Sequence, residues 1–379
     1  MMEWIDSISE ISRAEWTPLA NANALASWGW LLTAEQTASE DWRYRYLLCR
    51  VDGRLVGAAV CQLQRNPYDD RIHALAFGRA QPFARRLGLS LSPALICGPC
   101  GTYGSHVLVD PSLSKDARDD IERRLIDALQ TEASRNRLPL AFVHVLGSQP
   151  RLMRQLESRG FARTSLSPMS ELEIEWSAFD GYERHVRMIS RKAFEVVRNE
   201  RSRNRREGVE IEVLDEVSMH SSRLIELLDI TAKKHSGVPF WYRSDYFSRL
   251  KENLGAAAVV YGAWKNRELI GTCVMLKSDT EGFLTEIGVD HERSGNDFTY
   301  FNIGYYRPIE DAIASGLERL HFDNALHELK VRRGCRLVDD YLYYKADGAL
   351  RQTAVRAWFA LHTVWFRRKH AYLDHYAHS

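Results

Sequence analysis

Cysteine is scarce and scattered: six residues in 379, at Cys49, Cys61, Cys97, Cys100, Cys273 and Cys335. That excludes a small disulfide-stapled scaffold and suits reduced thiols in apolar surroundings. No apolar stretch reaches the ~20 residues of a membrane span. The opening Met-Met-Glu-Trp-Ile-Asp lacks the basic start and apolar core of a secretion signal, so the expectation is a soluble, cytoplasmic protein. Net charge is only +1, which removes any global pull toward nucleic acid or membrane and leaves such affinity to local charge. A Gly-x-Ser-x-Gly elbow is missing, and no Cys-His spacing marks a covalent nucleophile.

One cysteine pair carries a motif. Cys97-Gly98-Pro99-Cys100 has dithiol redox spacing, but such a site needs its first thiol at a helix N-terminus, and Gly101-Thr102-Tyr103-Gly104 reads as loop. A turn around Gly98-Pro99 is the favoured reading. With only His106 nearby, no metal site is expected.

What is present is enough apolar and aromatic residue for two packed domains. Tyr46–Val60 alternates around Asp52-Gly53 as a β-hairpin, and Val259–Val274 repeats the form around Lys265-Asn266. Each hairpin is followed by an amphipathic helix, Lys115–Arg137 and Tyr305–Gly316. An apolar strand comes next in each half, Leu140–Leu146 and Leu317–Phe322, and each half closes on Arg-Gly, at Arg159-Gly160 and Arg333-Gly334. The outline predicts a mixed α/β fold built twice, a mixed central sheet flanked by helices in each copy. The predicted units are residues 1–165, residues 166–346 including a basic helix over 182–208, and a helical tail over 347–379. The tail is expected to pack on the domain or on a second subunit.

The densest chemistry lies between Phe301 and Gly334. Tyr305 and Tyr306 open the second helix, where its positive end favours anionic groups. Either hydroxyl could hold a carbonyl or protonate a leaving oxygen, and packing between helix and sheet is the plain alternative. Glu310 and Glu328 are candidate acid/base residues, with surface ion pairing as the alternative. Lys330 and Arg333, one helical turn apart, could clamp a phosphate or carboxylate; the alternative is a solvated pair. A second candidate is the basic run. Arg184, Arg187, Arg191, Arg198, Arg201 and Arg205 fall on one helical stripe, with Lys192 broadening it, as phosphate contacts or as a solvated face.

These residues resemble the FemAB-like branch of the GNAT acyltransferase superfamily, the peptidoglycan biosynthesis/recognition proteins. The likeness rests on Phe301, Tyr305, Tyr306, Ile309, Glu310, Ala312, Ile313, Gly316, Leu317, Glu328, Lys330, Arg333 and Gly334. It continues upstream through Phe179–Tyr182, Arg191-Lys192 and Thr231–Phe240, and it adds Trp241 to the binding group. Asn302, Leu329 and Cys335 stand where the family pattern has Glu, His and Phe, which leaves a base role to other groups.

The resemblance implies tandem GNAT-like domains in which splayed backbone amides polarise the acyl carbonyl. It implies an acyltransferase forming an amide or related bond on an amine-type acceptor, a peptidoglycan-type precursor or a small amine or hydroxylamine. The expected donor is aminoacyl-tRNA, with no cofactor, because the Gly-rich turn that cradles a pyrophosphate is missing; Glu292–Asp297 and Asn302–Gly304 match it poorly. Acyl-CoA is the alternative donor, and a non-catalytic binding module is the alternative from another class.

Overall fold

The computed structural model describes residues 1–20, 23–38, 42–64, 76–77, 82, 86, 91–98, 103–104, 107–236, 240 and 244–370. In chain order the elements are β1 (Met2–Ile5), α1 (Arg13–Ala20), α2 (Trp28–Thr37), β2 (Trp42–Val51), β3 (Arg54–Gln64), β4 (Ala94–Cys97), β5 (Val107–Val109), α3 (Lys115–Arg135), β6 (Leu140–Leu146), α4 (Pro150–Ser158) and β7 (Ala162–Glu173). The second half adds α5 (Phe179–Ile189), α6 (Arg191–Arg206), β8 (Glu210–Val213), α7 (Val217–Ser236), α8 (Tyr246–Leu254), β9 (Ala258–Lys265), β10 (Glu268–Lys277), β11 (Glu281–Val289) and α9 (His291–Ser294). It ends with α10 (Thr299–Phe301, Asn302–Tyr306 and Arg307–Ala314), β12 (Arg319–Phe322), α11 (His327–Val331), β13 (Arg336–Lys345) and α12 (Ala349–His370).

Both hairpins form. Asp52 and Gly53 at φ 50 and 80 make the first turn, and Asn266 and Arg267 at φ 52 and 66 make the second, one residue later than the Lys265-Asn266 turn read from sequence. Paired left-handed residues match the twist of the flanking strands, which is why Asn and Gly are favoured there. The strands join in one 13-stranded sheet among the described residues, in the order β1-β2-β3-β4-β6-β13-β7-β12-β11-β10-β9-β8, with β5 on β3. The duplication is visible in the pairing: β4 runs parallel to β6, and β11 runs parallel to β12.

The closing strands are exchanged. β7, last of the first half, pairs with β12 of the second, while β13 inserts between β6 and β7. The split expected near residue 165 therefore falls inside one strand. The two halves share backbone hydrogen bonds across the middle of the sheet, so they are not beads on a linker.

Helices cover both faces. Ile121, Leu125, Ile126 and Leu129 of α3 pack with Phe142 and Tyr343. Tyr182, Val186 and Val197 of α5 and α6 pack with Tyr305, Tyr306 and Ile309 of α10. At ~1.5–3 kcal/mol for each large apolar side chain buried, these clusters dominate the stabilising terms. α12 lies on β7, with Phe359 against Tyr344, so the tail packs on the domain.

Gly160 and Gly334, at φ 77 and 93, are left-handed residues just past α4 and α11, which explains the Arg-Gly ending of each half. Cys97 ends a strand opposite Cys61, not at a helix N-terminus, and burial holds its thiol well above the usual range, so it does not form a reactive thiolate. Cys100 and His106 lie outside the described residues.

Candidate active site

The second parallel pair is short, and that opens the sheet. β11 pairs with β12 only over Glu281–Phe283 against Arg319–His321. On its other side Val274 pairs with Glu286 and Met275 with Leu284, so Thr285 is an extra residue, a β-bulge. A bulge bends its strand and re-aims the next side chain. From Leu284 onward β11 turns from β12 and leaves backbone groups on that side for a ligand.

Glu286 sits at this bend. Its Oε2 accepts from Tyr246 Oη at 3.0 Å and from Thr285 Oγ1. Burial pushes its carboxyl up to about 7, against the two hydrogen bonds that favour the carboxylate. Tyr300, Tyr305, Asp323 and Lys330 line the same opening, whose void is only about 40 Å³. Burial raises the phenols of Tyr300 and Tyr305, which stay protonated at neutral pH.

A cavity of about 200 Å³ adjoins it, sharing Leu284, Thr285, Phe322 and Asp323, and lies between the halves because Tyr103 and Gln149 line its far side. His321 is its central group. The ring stacks on Phe283 at 4.2 Å, its Nδ1 lies 3.3 Å from Glu171 and its Nε2 lies 3.0 Å from Glu281. Burial opposes the imidazolium, yet the two carboxylates raise its pKa. For Glu171 burial likewise acts upward, and His321 with Arg336 brings the carboxyl down to about 2.

The signs give a pH window. His321 stabilises the fold fully below its unfolded value near 6.5 and ceases to as pH rises through its higher folded value; Glu171 stabilises above about 4.5, and that is lost as pH falls toward 2. In Glu171→Gln the His321 pKa, followed by imidazole NMR, is expected to fall by about one pH unit or more. An unchanged titration would show that Glu171 does not hold the ring.

The residues singled out in the sequence are placed as follows. Tyr305 and Tyr306 do not open α10, which begins at Thr299; they occupy a five-residue π turn, Asn302–Tyr306. Pro308 has no N–H to give to Gly304, so an α-helical ladder would break here in any case. Tyr305 stacks on Phe322 at 5.1 Å and faces the opening. Tyr306 points away from it, donating to Glu200 Oε2 and accepting from Arg333 Nε at 3.1 Å.

Lys330 and Arg333 do not share a ligand-facing clamp. Lys330 is buried and donates to Asp323, at 2.7 Å to its carbonyl oxygen and also to its carboxylate. Arg333 is buried, and its Nη2 donates to both Glu200 oxygens at 2.9 and 2.7 Å, with its guanidinium 4.5 Å from the Phe301 ring centroid. Glu310 is held by Arg201, away from the opening, and Glu328 pairs with Arg332 on the surface at 2.5 Å.

The basic helix over 182–208 is two helices, broken at Ser190, whose hydroxyl caps Ala193 N at 3.3 Å. Arg201 reaches Glu183 at 3.2 Å and covers the Phe179 ring, so α5 and α6 fold back on each other. Arg201 leaves the stripe; Arg187, Arg191, Lys192 and Arg198 stay exposed. Trp241 lies outside the described residues.

The start of α10, where a pyrophosphate would bind, is already capped. Asp297 Oδ1 takes Thr299 N at 2.9 Å and Thr299 Oγ1 at 2.6 Å, while its Oδ2 meets Lys265 at 3.0 Å. Among the described residues no cluster of three or more His, Cys, Asp or Glu could hold a metal.

Two parallel pairs, one opened at a bulge, with their closing strands exchanged, define a tandem GNAT fold. The chain belongs to the FemAB-like family, peptidoglycan biosynthesis/recognition, whose sequence profile matches residues 7–377. Its fold is similar to that of FemX, at 12% identity over 93% of this chain and 100% of that one, TM-score 0.61. It is also similar to the C-terminal domain of a putative lysylphosphatidylglycerol synthetase from Agrobacterium fabrum, at 11% identity, 92% and 96% coverage and TM-score 0.58. A tandem GNAT protein of the clavulanic acid biosynthesis pathway matches at 12% identity, 92% and 99% coverage and TM-score 0.51. A comparison with curated proteins finds no match.

Proposed function

We propose that the protein is an acyltransferase that moves an aminoacyl group from aminoacyl-tRNA to an amine acceptor, a cell-wall precursor or a small amine. The observation that carries this reading is Glu286, a carboxyl held near neutrality at the strand bend where β11 parts from β12. A base of that pKa can take a proton at physiological pH and release it again.

In this reading the acceptor enters the cavity between the halves and its nitrogen attacks the ester carbonyl. The carbon–nitrogen bond forms and the carbon–oxygen bond to the ribose breaks. The amine proton passes to Glu286 and from it to the departing ribose oxygen, while the Tyr305 phenol keeps its own proton and donates a hydrogen bond to that oxygen. Backbone amides of β11 beyond the bulge stabilise the oxyanion.

Two features favour an ester donor over acyl-CoA. Asp297 occupies the helix terminus that a pyrophosphate would need. Tyr305, stacked on Phe322, and Lys330 line the gap between β11 and β12 and leave a void of only about 40 Å³, little room for a threaded thioester arm. The name of the Agrobacterium neighbour, a lysylphosphatidylglycerol synthetase, is consistent with aminoacyl chemistry on this fold.

The test is transfer by the pure full-length protein from radiolabelled aminoacyl-tRNA and, separately, from acyl-CoA to a panel of amines, including a stem peptide with a free amine. Transfer from charged tRNA that ribonuclease abolishes is expected. Transfer from acyl-CoA alone, indifferent to ribonuclease, would overturn the donor assignment.

A further inference from the structure

The elbow of the α5–α6 hairpin presents apolar side chains to solvent among cations. Met188 is 83% exposed, and Ile189 and Val196 are exposed beside it. Arg187, Arg191 and Lys192 surround them. Across a cleft of about 770 Å³, Leu326 is 51% exposed in a turn held at φ 55, with Arg332 alongside. The nearby acids are engaged by cations, Glu195 by Arg191, Glu328 by Arg332 and, inside the cleft, Glu200 by Arg333.

The end of α12 lies near the turn before α11, beside a wall that also carries Asp339 and Asp340. Phe366, Arg367 and His370 share a cavity wall with Pro168, whose carbonyl oxygen bonds His327, the residue after Leu326. On the outer side of α12, Leu361, Val364 and Trp365 are exposed, followed by exposed Arg367 and Arg368. Two separate segments, the α5–α6 elbow and the turn before α11, thus bring aliphatic side chains and Arg or Lys to one edge of the molecule, on either side of the cleft.

We propose that this edge docks on the surface of an anionic phospholipid bilayer, in the interface and not across it. Apolar side chains that enter the acyl boundary, ringed by cations that meet lipid phosphates, are the pattern of interfacial binding. No helix among the described residues is long and apolar enough to cross a membrane. Duplex RNA would satisfy the cations but would press Met188, Ile189 and Leu326 against phosphates, which gains nothing from them. Docking here would set the mouth of the cleft between α6 and α11 at the lipid headgroups. It is independent of the donor assigned above, which rests on Asp297, Tyr305 and Lys330.

The experiment is co-sedimentation of the full chain with vesicles of phosphatidylcholine alone and of phosphatidylcholine mixed with phosphatidylglycerol. The wild type is expected on the mixed vesicles only, and raised salt should release it. Met188→Asp with Ile189→Asp should lower partitioning by about tenfold or more. Arg187→Ser with Arg191→Ser should lower it by about fivefold for each charge removed. The thermal midpoint should be unchanged in both, since all four side chains are exposed. Three results would overturn the proposal: no partitioning, partitioning insensitive to both double variants, or a solution dimer or RNA complex that Met188→Asp abolishes while vesicles bind no wild type.

Discussion

Glu286→Gln is expected to slow acyl transfer by about 10²–10⁴-fold, the usual worth of a positioned base. The amide keeps the volume and can still meet Tyr246 and Thr285, so the fold should survive. Stability supports the same reading, because a carboxyl raised by burial favours the fold fully below its unfolded value near 4.5. That contribution is lost as pH rises through about 7. The glutamine variant should lack this slope and equal or exceed the wild type in stability at alkaline pH. Tyr246→Phe removes one of the two bonds that favour the carboxylate, and should move the ionisation further up without abolishing activity. A glutamine variant as active as the wild type would remove the base from the account.

The second large effect is on stability. Arg333 and Glu200 are buried partners 133 residues apart, joined by two hydrogen bonds and by Tyr306. Removing either one leaves an uncompensated charge in the core, which costs about 3–5 kcal/mol. Arg333→Ala and Glu200→Ala should each lose that much in denaturant unfolding. Arg333→Met with Glu200→Leu should recover most of it, because two apolar groups need no partner. If the double variant is as unstable as the singles, packing and not charge explains the loss.

Much of the fold was legible because its signals are local. Alternation around Asp52-Gly53 marks a hairpin whatever the rest of the chain does, and the face of Ile121, Leu125 and Leu129 marks a helix. The Arg-Gly endings read correctly as element ends because only a residue tolerant of positive φ fits there. The exchange of β7 and β13 was not legible, since either strand could pair within its own half and only the assembled sheet decides.

The residues singled out in the sequence are only partly brought together. Tyr305, Lys330 and Asp323 do gather at the opening, yet Lys330 and Arg333 are spent on internal partners that sequence spacing cannot show. Glu200 was hidden in an arginine-rich run, where an acid looks like one more surface charge. Glu286 sits in Leu284-Thr285-Glu286-Ile287, an ordinary strand alternation in which Glu would face water. Only the bulge at Thr285, and a tyrosine from 40 residues earlier, turn it inward as a half-buried carboxyl. The departures at Asn302 and Leu329 left open either a different acceptor or a base role for other groups. Asn302 in fact bonds the Glu200 and Phe298 carbonyls inside the π turn.

The most direct measurement is the pH dependence of kcat/KM for aminoacyl transfer in the wild type and in Glu286→Gln. The wild type should rise along a limb with an apparent pKa of about 7, and the variant's residual activity should lack that limb. A limb that persists unchanged in the variant would report the acceptor amine instead, and would contradict the assignment of Glu286 as the base.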